Sequence, residues 1–343
     1  MIFNQIATGG CQSYLLGCPD TRIAALIDPE IRQVDHYLAL ATQQGVRIHY
    51  IIDTHTHADH FSAAKQLGET LGVPVVLHQE SPAPFAGLRL DDGEMLAVGK
   101  LRLKALHTPG HTRDSMCIVV DDRVFTGDTL LIGATGRTDL PTGDPDQLYD
   151  SLFGKLLKLD PSLNVFPAHD YKGRQSTTLA AEIANNPRLQ KRARADFVAM
   201  MRQLNLTMPD HITEALRTNM SGGKTVTQLL AEAGASVPFM ALEELKSRLD
   251  ARPNDLMVLD VREKDAYAKG HIPGAKHLPR GQLELRVNEE LPNPTLRIVV
   301  CCEFGKISTL AAATLRQLGF TRAAALHGGM KEWREASYPL ELS

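Results

Sequence analysis

A short histidine-rich segment carries four potential metal ligands within six positions of the sequence. It lies directly after the apolar run 48–53 and contains His55, His57, Asp59 and His60. These residues fall between a predicted strand and a predicted helix, so their side chains can converge on one point instead of spreading along a face. Imidazole and carboxylate groups together suit Zn, Fe or Mn. The spacing therefore predicts a metal centre.

Three further ligand types occupy the same kind of position. His111, Asp128 and His169 each come just past an apolar strand-like run, as at 101–106 and 163–168. We expect one end of one sheet to gather all seven groups. The alternative is a set of histidines scattered on solvated loops, which does not explain four clusters that follow one placement rule.

A second reactive pattern lies near the end of the sequence. The apolar run 297–300 delivers Cys301 and Cys302 to a loop that enters a predicted helix over 308–318, and Ser308 is placed to cap that helix. The inward N–H groups of such a loop and the helix N-terminus stabilise a thiolate or persulfide anion. Strand alternation directs Cys301 into the core and Cys302 toward the loop. Cys302 is therefore the predicted nucleophile, and a buried, inert cysteine is the alternative.

The elements that must position these residues follow from apolar periodicity. Strands are predicted at 13–17, 23–27, 48–53, 74–78, 101–106, 116–120 and 163–168. Helical spacing appears at about 34–44, 60–71, 145–158, 176–184 and 188–204. Beyond Pro238, a helix at 240–249 and further strands and helices through Trp333 predict a small α/β domain with a largely parallel sheet.

The length of 343 residues predicts about two domains. We expect domains at 1–220 and 238–343, with a Gly-, Ser- and Pro-rich linker at 221–237. A formal net charge of −3, from 37 basic and 40 acidic residues, argues against a nucleic-acid-binding protein. The apolar stretches are too short for a membrane span, and no targeting segment is recognised. Five sparse cysteines suit a reducing cytoplasm.

The HxHxDH arrangement and the later His, Asp and His resemble the metallo-β-lactamase superfamily over about residues 1–205. The resemblance implies an αββα sandwich with the metal site at one edge. The superfamily includes zinc hydrolases of the glyoxalase II type and the mononuclear iron persulfide dioxygenases. Both groups keep all seven residues, so the ligands alone do not separate them.

Outside the ligand motif, the segments 136–140, 167–173 and 186–189 resemble the persulfide dioxygenases. That family implies one Fe(II) per chain, which oxidises glutathione persulfide or another thiol persulfide with O2 to sulfite and free thiol. The positions that hold iron there match His55, His111 and Asp128 of this sequence. The positions that would orient these ligands or move protons, or bind a second metal in the hydrolase alternative, match His57, Asp59, His60 and His169.

The same segments imply a pocket for the thiol carrier, which is glutathione, coenzyme A or bacillithiol. Arg137, Tyr171 and Arg188 are its candidate anchors for carboxylate groups. The alternative for Arg137 is a salt bridge to Asp139 or Asp144. The alternative for Arg188 is an ordinary solvated position in the first turn of a helix.

The cysteine loop and the segments 259–263, 270–279 and 326–333 resemble a single rhodanese domain over about residues 238–341. That family implies transfer of sulfane sulfur between thiosulfate and a thiol through a persulfide on the cysteine, with Asp260 and Arg262 bracing the loop. Ile307 stands where the family usually has Arg, which weakens the binding of anionic donors. The residues of the loop after the cysteine are Glu303, Phe304, Gly305, Lys306, Ile307 and Ser308.

The whole sequence thus resembles fusions of a persulfide dioxygenase with a rhodanese. Sulfite can serve as the sulfur acceptor if the rhodanese runs in the opposite direction, so the direction stays open. The alternatives are a zinc thioester hydrolase and a rhodanese-like module that only carries or senses persulfide. The sequence also leaves a homo-oligomer open.

Overall fold

The structure, a computed structural model, describes residues 1–204, 206–208, 212–251, 255–291 and 293–342. The chain divides into two compact units, Met1–Gly223 and Lys224–Ser343. None of the helices in the described ranges has the length and apolar character needed to cross a bilayer.

The first unit is built from many short strands with helices between them. Its strands are β1 (Ile2–Thr8), β2 (Cys11–Gly17), β3 (Ile23–Ile27), β4 (Arg47–Ile52), β5 (Val75–His78), β6 (Leu88–Leu90), β7 (Met95–Val98), β8 (Leu101–His107), β9 (Met116–Val120), β10 (Arg123–Gly127), β11 (Leu130–Leu131), β12 (Ala134–Thr135), β13 (Asn164–Pro167) and β14 (Thr177–Thr178). Its helices are α1 (Val34–Gln43), α2 (Ala64–Leu71), α3 (Pro145–Tyr149), α4 (Leu179–Asn185), α5 (Arg194–Arg202) and α6 (Ile212–Ser221).

Two six-stranded sheets face each other in this unit. The first has the order β1-β2-β3-β4-β5-β6 and the second β14-β13-β10-β9-β8-β7. Apolar side chains between the sheets, such as Ile52 and Phe125, form one continuous core. Helices α1 and α2 cover the outer face of the first sheet, where Tyr37 is buried, and Phe197 of α5 packs on the outer face of the second. The expected αββα sandwich is therefore confirmed.

The helix expected at 145–158 is interrupted. Helix α3 ends at Tyr149, and a turn of π-helix, Asp150–Lys155, and a 3-10 turn, Leu156–Lys158, continue the chain. The apolar side chains Leu148, Leu152 and Leu156 are nevertheless all buried in one cluster. The apolar periodicity thus identified the buried face but not the exact helical geometry.

The second unit alternates strands and helices. Its strands are β15 (Phe239–Met240), β16 (Leu256–Asp260), β17 (Lys276–His277), β18 (Arg297–Cys301) and β19 (Ala323–Leu326). Its helices are α7 (Val226–Ser236), α8 (Leu242–Asp250), α9 (Lys264–Ala268), α10 (Leu283–Glu290), α11 (Lys306–Gln317) and α12 (Gly329–Glu335). The sheet order is β15-β19-β18-β16-β17, and every pair in it is parallel, which confirms the predicted parallel sheet.

The segment 221–237 differs from the expected linker. Residues Val226–Ser236 form helix α7, which begins with a capping box between Thr225 and Gln228. Val237 lies in the core of the second unit. Ser221, Gly222 and Gly223 therefore precede a packed helix, whereas Gly234 and Ser236 lie within its last turn. The boundary between the units lies before this helix, after Gly223.

Candidate functional site

The seven predicted ligands lie in loops at the ends of four strands. The loop with His55 follows β4 of the first sheet, whereas His111, Asp128 and His169 follow β8, β10 and β13 of the second. The expectation that all seven ligands lie at one end of one sheet is therefore wrong, because they follow strands of both sheets. A side chain at Gly127 would meet the Thr54 hydroxyl at 2.6 Å, so the two sheets approach closely just before Asp128.

His55, His111 and Asp128 form one compact group of donors. Their ligand atoms lie within 4.8 Å of one another, and both histidines are buried. The Nδ1 atom of His111 donates to the carbonyl of Arg137 at 2.9 Å, and Nδ1 of His55 lies 3.0 Å from the Thr54 hydroxyl. Since Nδ1 is engaged in both rings, Nε2 remains available to a metal in both. Two imidazoles and one carboxylate in this arrangement fit a metal ion.

The charges of this group also suit metal binding. Burial, together with the neighbouring His57, lowers the pKa of His55 to about 3, so its imidazole is neutral. Burial raises the pKa of Asp128, but the imidazoles of His169 and His111 lower it by more. The pKa of Asp128 therefore lies well below its usual range. Neutral imidazoles and an ionised carboxylate are the forms that coordinate cations.

A second group adjoins the first through His169. Its Nδ1 lies 2.7 Å from Asp128 Oδ1 and its Nε2 2.7 Å from Asp59 Oδ2, so two carboxylates flank the ring. His60 Nδ1 lies 3.1 Å from Asp59 Oδ1. Burial lowers the pKa of His169, but Asp128 and Asp59 raise it well above its ordinary value. The predicted residues Asp59, His60 and His169 therefore form a connected chain that ends on Asp128.

Cys11 completes this second group, although no motif in the sequence assigned it to the site. Its sulfur and the ligand atoms of Asp59, His60 and His169 lie within 4.8 Å of one another. Burial raises the pKa of Cys11, but the adjacent imidazoles of His169 and His60 outweigh this effect and lower the pKa to about 7. The contact depends on pairing between the start of β2 and the segment after β13, which no local pattern reveals.

His57 lies in a third group, with Asp28 and Asp53. Its Nε2 is 3.2 Å from Asp28 Oδ1, and Asp28 also accepts hydrogen bonds from the amide and hydroxyl of Thr54. Burial raises the pKa of Asp53 to about 8. His57 therefore contacts Asp28, while its ring stays next to that of His60 at 4.2 Å between centroids, and the group adds two buried carboxylates that were missed.

Asn219 of α6 braces the histidine loop and was also missed. Its Nδ2 donates to the carbonyls of His57 and His60, both at 2.8 Å, and its Oδ1 accepts from the amide of Ser62 at 3.0 Å. A single asparagine in a helix carries no sequence signal for such a role. Three hydrogen bonds nevertheless anchor the backbone that carries the ligands.

The three candidate thiol anchors have different surroundings. Arg137 forms an ion pair with Asp139 at 2.6 Å, as its alternative interpretation states. Arg188 donates to the carbonyl of Thr135 at 2.6 Å, and no carboxylate in the described ranges pairs with it. Tyr171 is 75% exposed and stacks on His169 with 6.0 Å between ring centroids. Among the described residues, Tyr171 and Arg188 thus have polar groups without a charged partner, whereas the charge of Arg137 is compensated.

In the second unit, Cys302 follows β18 and lies against the start of α11. The backbone amide of Ser308 donates to its sulfur at 3.2 Å, and the thiol lies 3.3 Å from the Ser308 hydroxyl. The prediction that Ser308 caps the helix is wrong, because α11 begins at Lys306 and Gly305 occupies the cap position. The Ser308 hydroxyl instead donates to the carbonyl of Gly305 at 2.9 Å.

Cys301 and Cys302 point to opposite faces of the sheet. Cys301 packs in one core cluster and Cys302 in another, although both side chains are buried. Burial and Asp260 raise the pKa of Cys301 well above its ordinary value. Asp260 is paired with Arg262 at 2.7 Å, and Arg262 reaches Glu303 of the loop at 3.4 Å.

The remaining side chains of the loop face outward. Lys306 is exposed, and the exposed fractions of Phe304 and Ile307 are 66% and 50%. Glu303 also contacts Arg334 of α12. The cradle around Cys302 is therefore formed by backbone and by the Ser308 hydroxyl, and its rim is partly apolar.

Comparison with known proteins agrees with this division. Residues 7–169 match the metallo-beta-lactamase superfamily, and residues 241–336 match the rhodanese-like domain. The mitochondrial persulfide dioxygenase ETHE1 of Homo sapiens is 37% identical over 214 residues, which cover 62% of this chain and 84% of that protein.

Two solved structures share the fold. The crystal structure of ETHE1 from Myxococcus xanthus is 40% identical, with a TM-score of 0.64, and covers 65% of this chain and 100% of that one. A metallo-beta-lactamase from Staphylococcus aureus is 24% identical, with a TM-score of 0.62 over 95% of this chain and 98% of that one, and shows likeness of fold alone. The chain therefore belongs to the metallo-beta-lactamase superfamily as a relative of the persulfide dioxygenases, and its sequence continues into a rhodanese-like domain.

Proposed function

We propose that the first unit is a persulfide dioxygenase that holds one Fe(II) between His55, His111 and Asp128. Its substrates are O2 and a low-molecular-weight thiol persulfide, with glutathione persulfide as the first choice. The observation that carries the proposal is the convergence of these three donors within 4.8 Å. Persulfide, O2 and water would yield free thiol, sulfite and two protons.

Bound iron would supply adjacent open positions at which a persulfide sulfur and dioxygen can meet. The chain's own residues orient the donors and handle protons. The carbonyl of Arg137 fixes the ring of His111, and the hydroxyl of Thr54 fixes that of His55. His169, held between Asp128 and Asp59, is the proton-bearing group nearest to the donor set, and it can hold a proton while the products leave.

The thiol carrier needs contacts away from the reacting sulfur. Arg188 has a guanidinium without a carboxylate partner among the described residues, and it suits a carboxylate of glutathione. Tyr171 offers an exposed hydroxyl next to His169. We assign these two residues to the carrier, whereas Arg137 is compensated by Asp139 and contributes mainly through its carbonyl.

Oxygen uptake tests this proposal directly. Iron-loaded protein is expected to consume O2 with glutathione persulfide, and Asp128→Ala is expected to lose both the iron and the uptake. The matched control is Asp122→Ala, which removes an exposed carboxylate at the other end of the same strand. The zinc thioester hydrolase alternative predicts two metals per chain and no uptake, so metal analysis of the same samples separates the two.

For the second unit we propose that Cys302 takes sulfane sulfur from thiosulfate or another donor and passes it to a thiol. The amide of Ser308 at 3.2 Å from its sulfur, at the N-terminal end of α11, supports an anionic sulfur at this position. Asp260 and Arg262 hold the adjacent backbone. Such a carrier requires a reducing compartment, and we propose the cytoplasm.

Single cysteine substitutions test this role. Cys302→Ser is expected to abolish sulfur transfer, whereas Cys301→Ser is expected to retain it because Cys301 lies on the opposite face. Transfer that persists in Cys302→Ser would refute the assignment. A module that only carries or senses persulfide predicts labelling of Cys302 without turnover of thiosulfate and thiol.

A further inference from the structure

We propose that Cys11 is a sulfur-accepting thiol in the first unit, which takes the outer sulfur of a low-molecular-weight persulfide and holds it as a cysteine persulfide. The inference rests on the proposed function, because it assumes that the same class of substrate enters this pocket. It adds a covalent site that neither the metal donors nor Cys302 provides.

The position of Cys11 distinguishes it from the other cysteines. Of the five cysteines, all within the described ranges, Cys11 alone is not buried. The amide of Gln12 donates to the carbonyl of Ala168 at 2.8 Å, and the amide of Asp170 donates to that of Gly10 at 2.9 Å. These two hydrogen bonds hold Cys11 beside the strand end that carries His169.

The groups around the sulfur point to a ligand. The Nε2 atom of His60 is buried and has no hydrogen-bond partner among the described residues, although buried polar atoms normally have one. His60 belongs to the same cluster as the Cys11 sulfur, within 4.8 Å. His169, also in this cluster, contacts Asp128 at 2.7 Å. A sulfur atom bound to Cys11 would therefore lie close to the proposed iron donors.

The chemistry requires no outside oxidant. The Cys11 thiolate attacks the outer sulfur of RS–SH, the S–S bond of the small persulfide breaks, and a new S–S bond forms on Cys11. The thiolate RS⁻ leaves and takes a proton from solvent. Reactive cysteines lie in partly exposed sites next to His, Lys or Arg, and Cys11 is partly exposed within the cluster that holds His60 and His169.

Cys18 provides an internal control. Hydrogen bonds, first of all with Thr21, also lower its pKa to about 7. Its side chain is only 1% exposed, however, and its sulfur accepts from the amide of Lys100, away from the histidines. Ionisation alone therefore predicts similar labelling of both cysteines, whereas the proposed site predicts labelling of Cys11.

The experiment uses the full-length, iron-loaded Cys302→Ser protein under strictly anaerobic conditions. Glutathione persulfide is added, thiols are alkylated, and each cysteine-containing peptide is analysed by mass spectrometry. We expect one added sulfur atom on Cys11, several times more abundant than on Cys18, and its absence in Cys11→Ser. Because the label is read on a chain with native Cys11, the test does not depend on folding of the second variant.

Three results would overturn the inference. They are equal labelling of Cys11 and Cys18, a glutathione mixed disulfide on Cys11 in place of the persulfide, and an unlabelled Cys11 in a protein that binds a second metal ion through it. Air is then admitted to portions of these samples that were set aside before alkylation, and O2 uptake is measured. Uptake without a Cys11 persulfide refutes this inference alone, whereas a Cys11 persulfide without uptake refutes the dioxygenase and leaves the sulfur-accepting thiol.

Discussion

Replacement of Asn219 with alanine is expected to release the histidine loop from helix α6. The side chain is buried, and its amide group makes three hydrogen bonds to the backbone of His57, His60 and Ser62. The substitution removes the partners of two carbonyl groups and one N–H group. Each of these groups sits in the backbone that presents His55 and Asp59 to the site.

The magnitude follows from the burial of these groups. A buried polar group left without a partner costs about 1–3 kcal/mol. Water can reach part of the vacated space at Ser62, which is half-buried. We therefore expect a loss of about 3 kcal/mol in the free energy of unfolding of the first unit, roughly a hundredfold in its equilibrium constant. Loss of a hydrogen bond that supports the ligands of a metal site also weakens metal binding by about 10–100-fold.

Urea unfolding and iron competition measure these two effects. Far-UV circular dichroism follows the whole chain, whereas fluorescence of the single tryptophan, Trp333, reports on the second unit. We expect the substitution to shift the first signal and to leave the second unchanged. Met220→Ala, the neighbouring exposed position on the same helix, is the matched control and should change stability by less than about 0.5 kcal/mol.

Asn219→Ala protein that unfolds like the Met220→Ala control and retains iron equally well against a chelator would contradict this prediction. That result would mean that the loop is held by its other contacts, such as the hydrogen bonds between Asp28 and Thr54.

Three further predictions concern other parts of the chain. A side chain at Gly110, where φ is +135°, would meet the backbone of Leu148 at 2.3 Å, so Gly110→Ala should lower the melting temperature of the first unit by several degrees; an unchanged calorimetric transition would contradict this. Arg262→Leu leaves the fully buried Asp260 without its partner and should destabilise the second unit by about 3–5 kcal/mol in fluorescence-detected urea unfolding. Arg188→Met should raise the KM for glutathione persulfide in oxygen-uptake assays with little change in kcat, and an equal fall in kcat would place the guanidinium at the reacting sulfur instead.

Much of the fold was predictable because local sequence and tertiary structure agree. The apolar run at β9 is continuous and ends in three β-branched residues, and its bounds, Met116–Val120, coincide with the predicted strand. The ligands that follow strands were recognisable for the same reason, since strand ends and reactive side chains are both visible locally. The structure brings His55, His111 and Asp128 together as that placement rule predicts.

Other features depend on contacts that no local pattern encodes. The Gly- and Ser-rich composition of 221–237 suggested a linker, yet packing in the second unit turns most of it into helix α7. Ser308 has the residue type of a helix cap, but the helix begins earlier, at Lys306, and the serine binds the cysteine instead. In each case the energy of tertiary packing outweighs a modest local preference.

The sequence by itself determined the two families, the types of ligand and the reactive cysteine candidates, because motifs and strand patterns are local. Tertiary structure alone decided that the donors come from two sheets, that His57 faces Asp28, and that Cys11 and Asn219 join the site. Cys11 meets His169, and Asn219 meets His57, across long stretches of chain. Such contacts form only when strands and helices distant in sequence pack together, so their partners cannot be found from neighbouring residues.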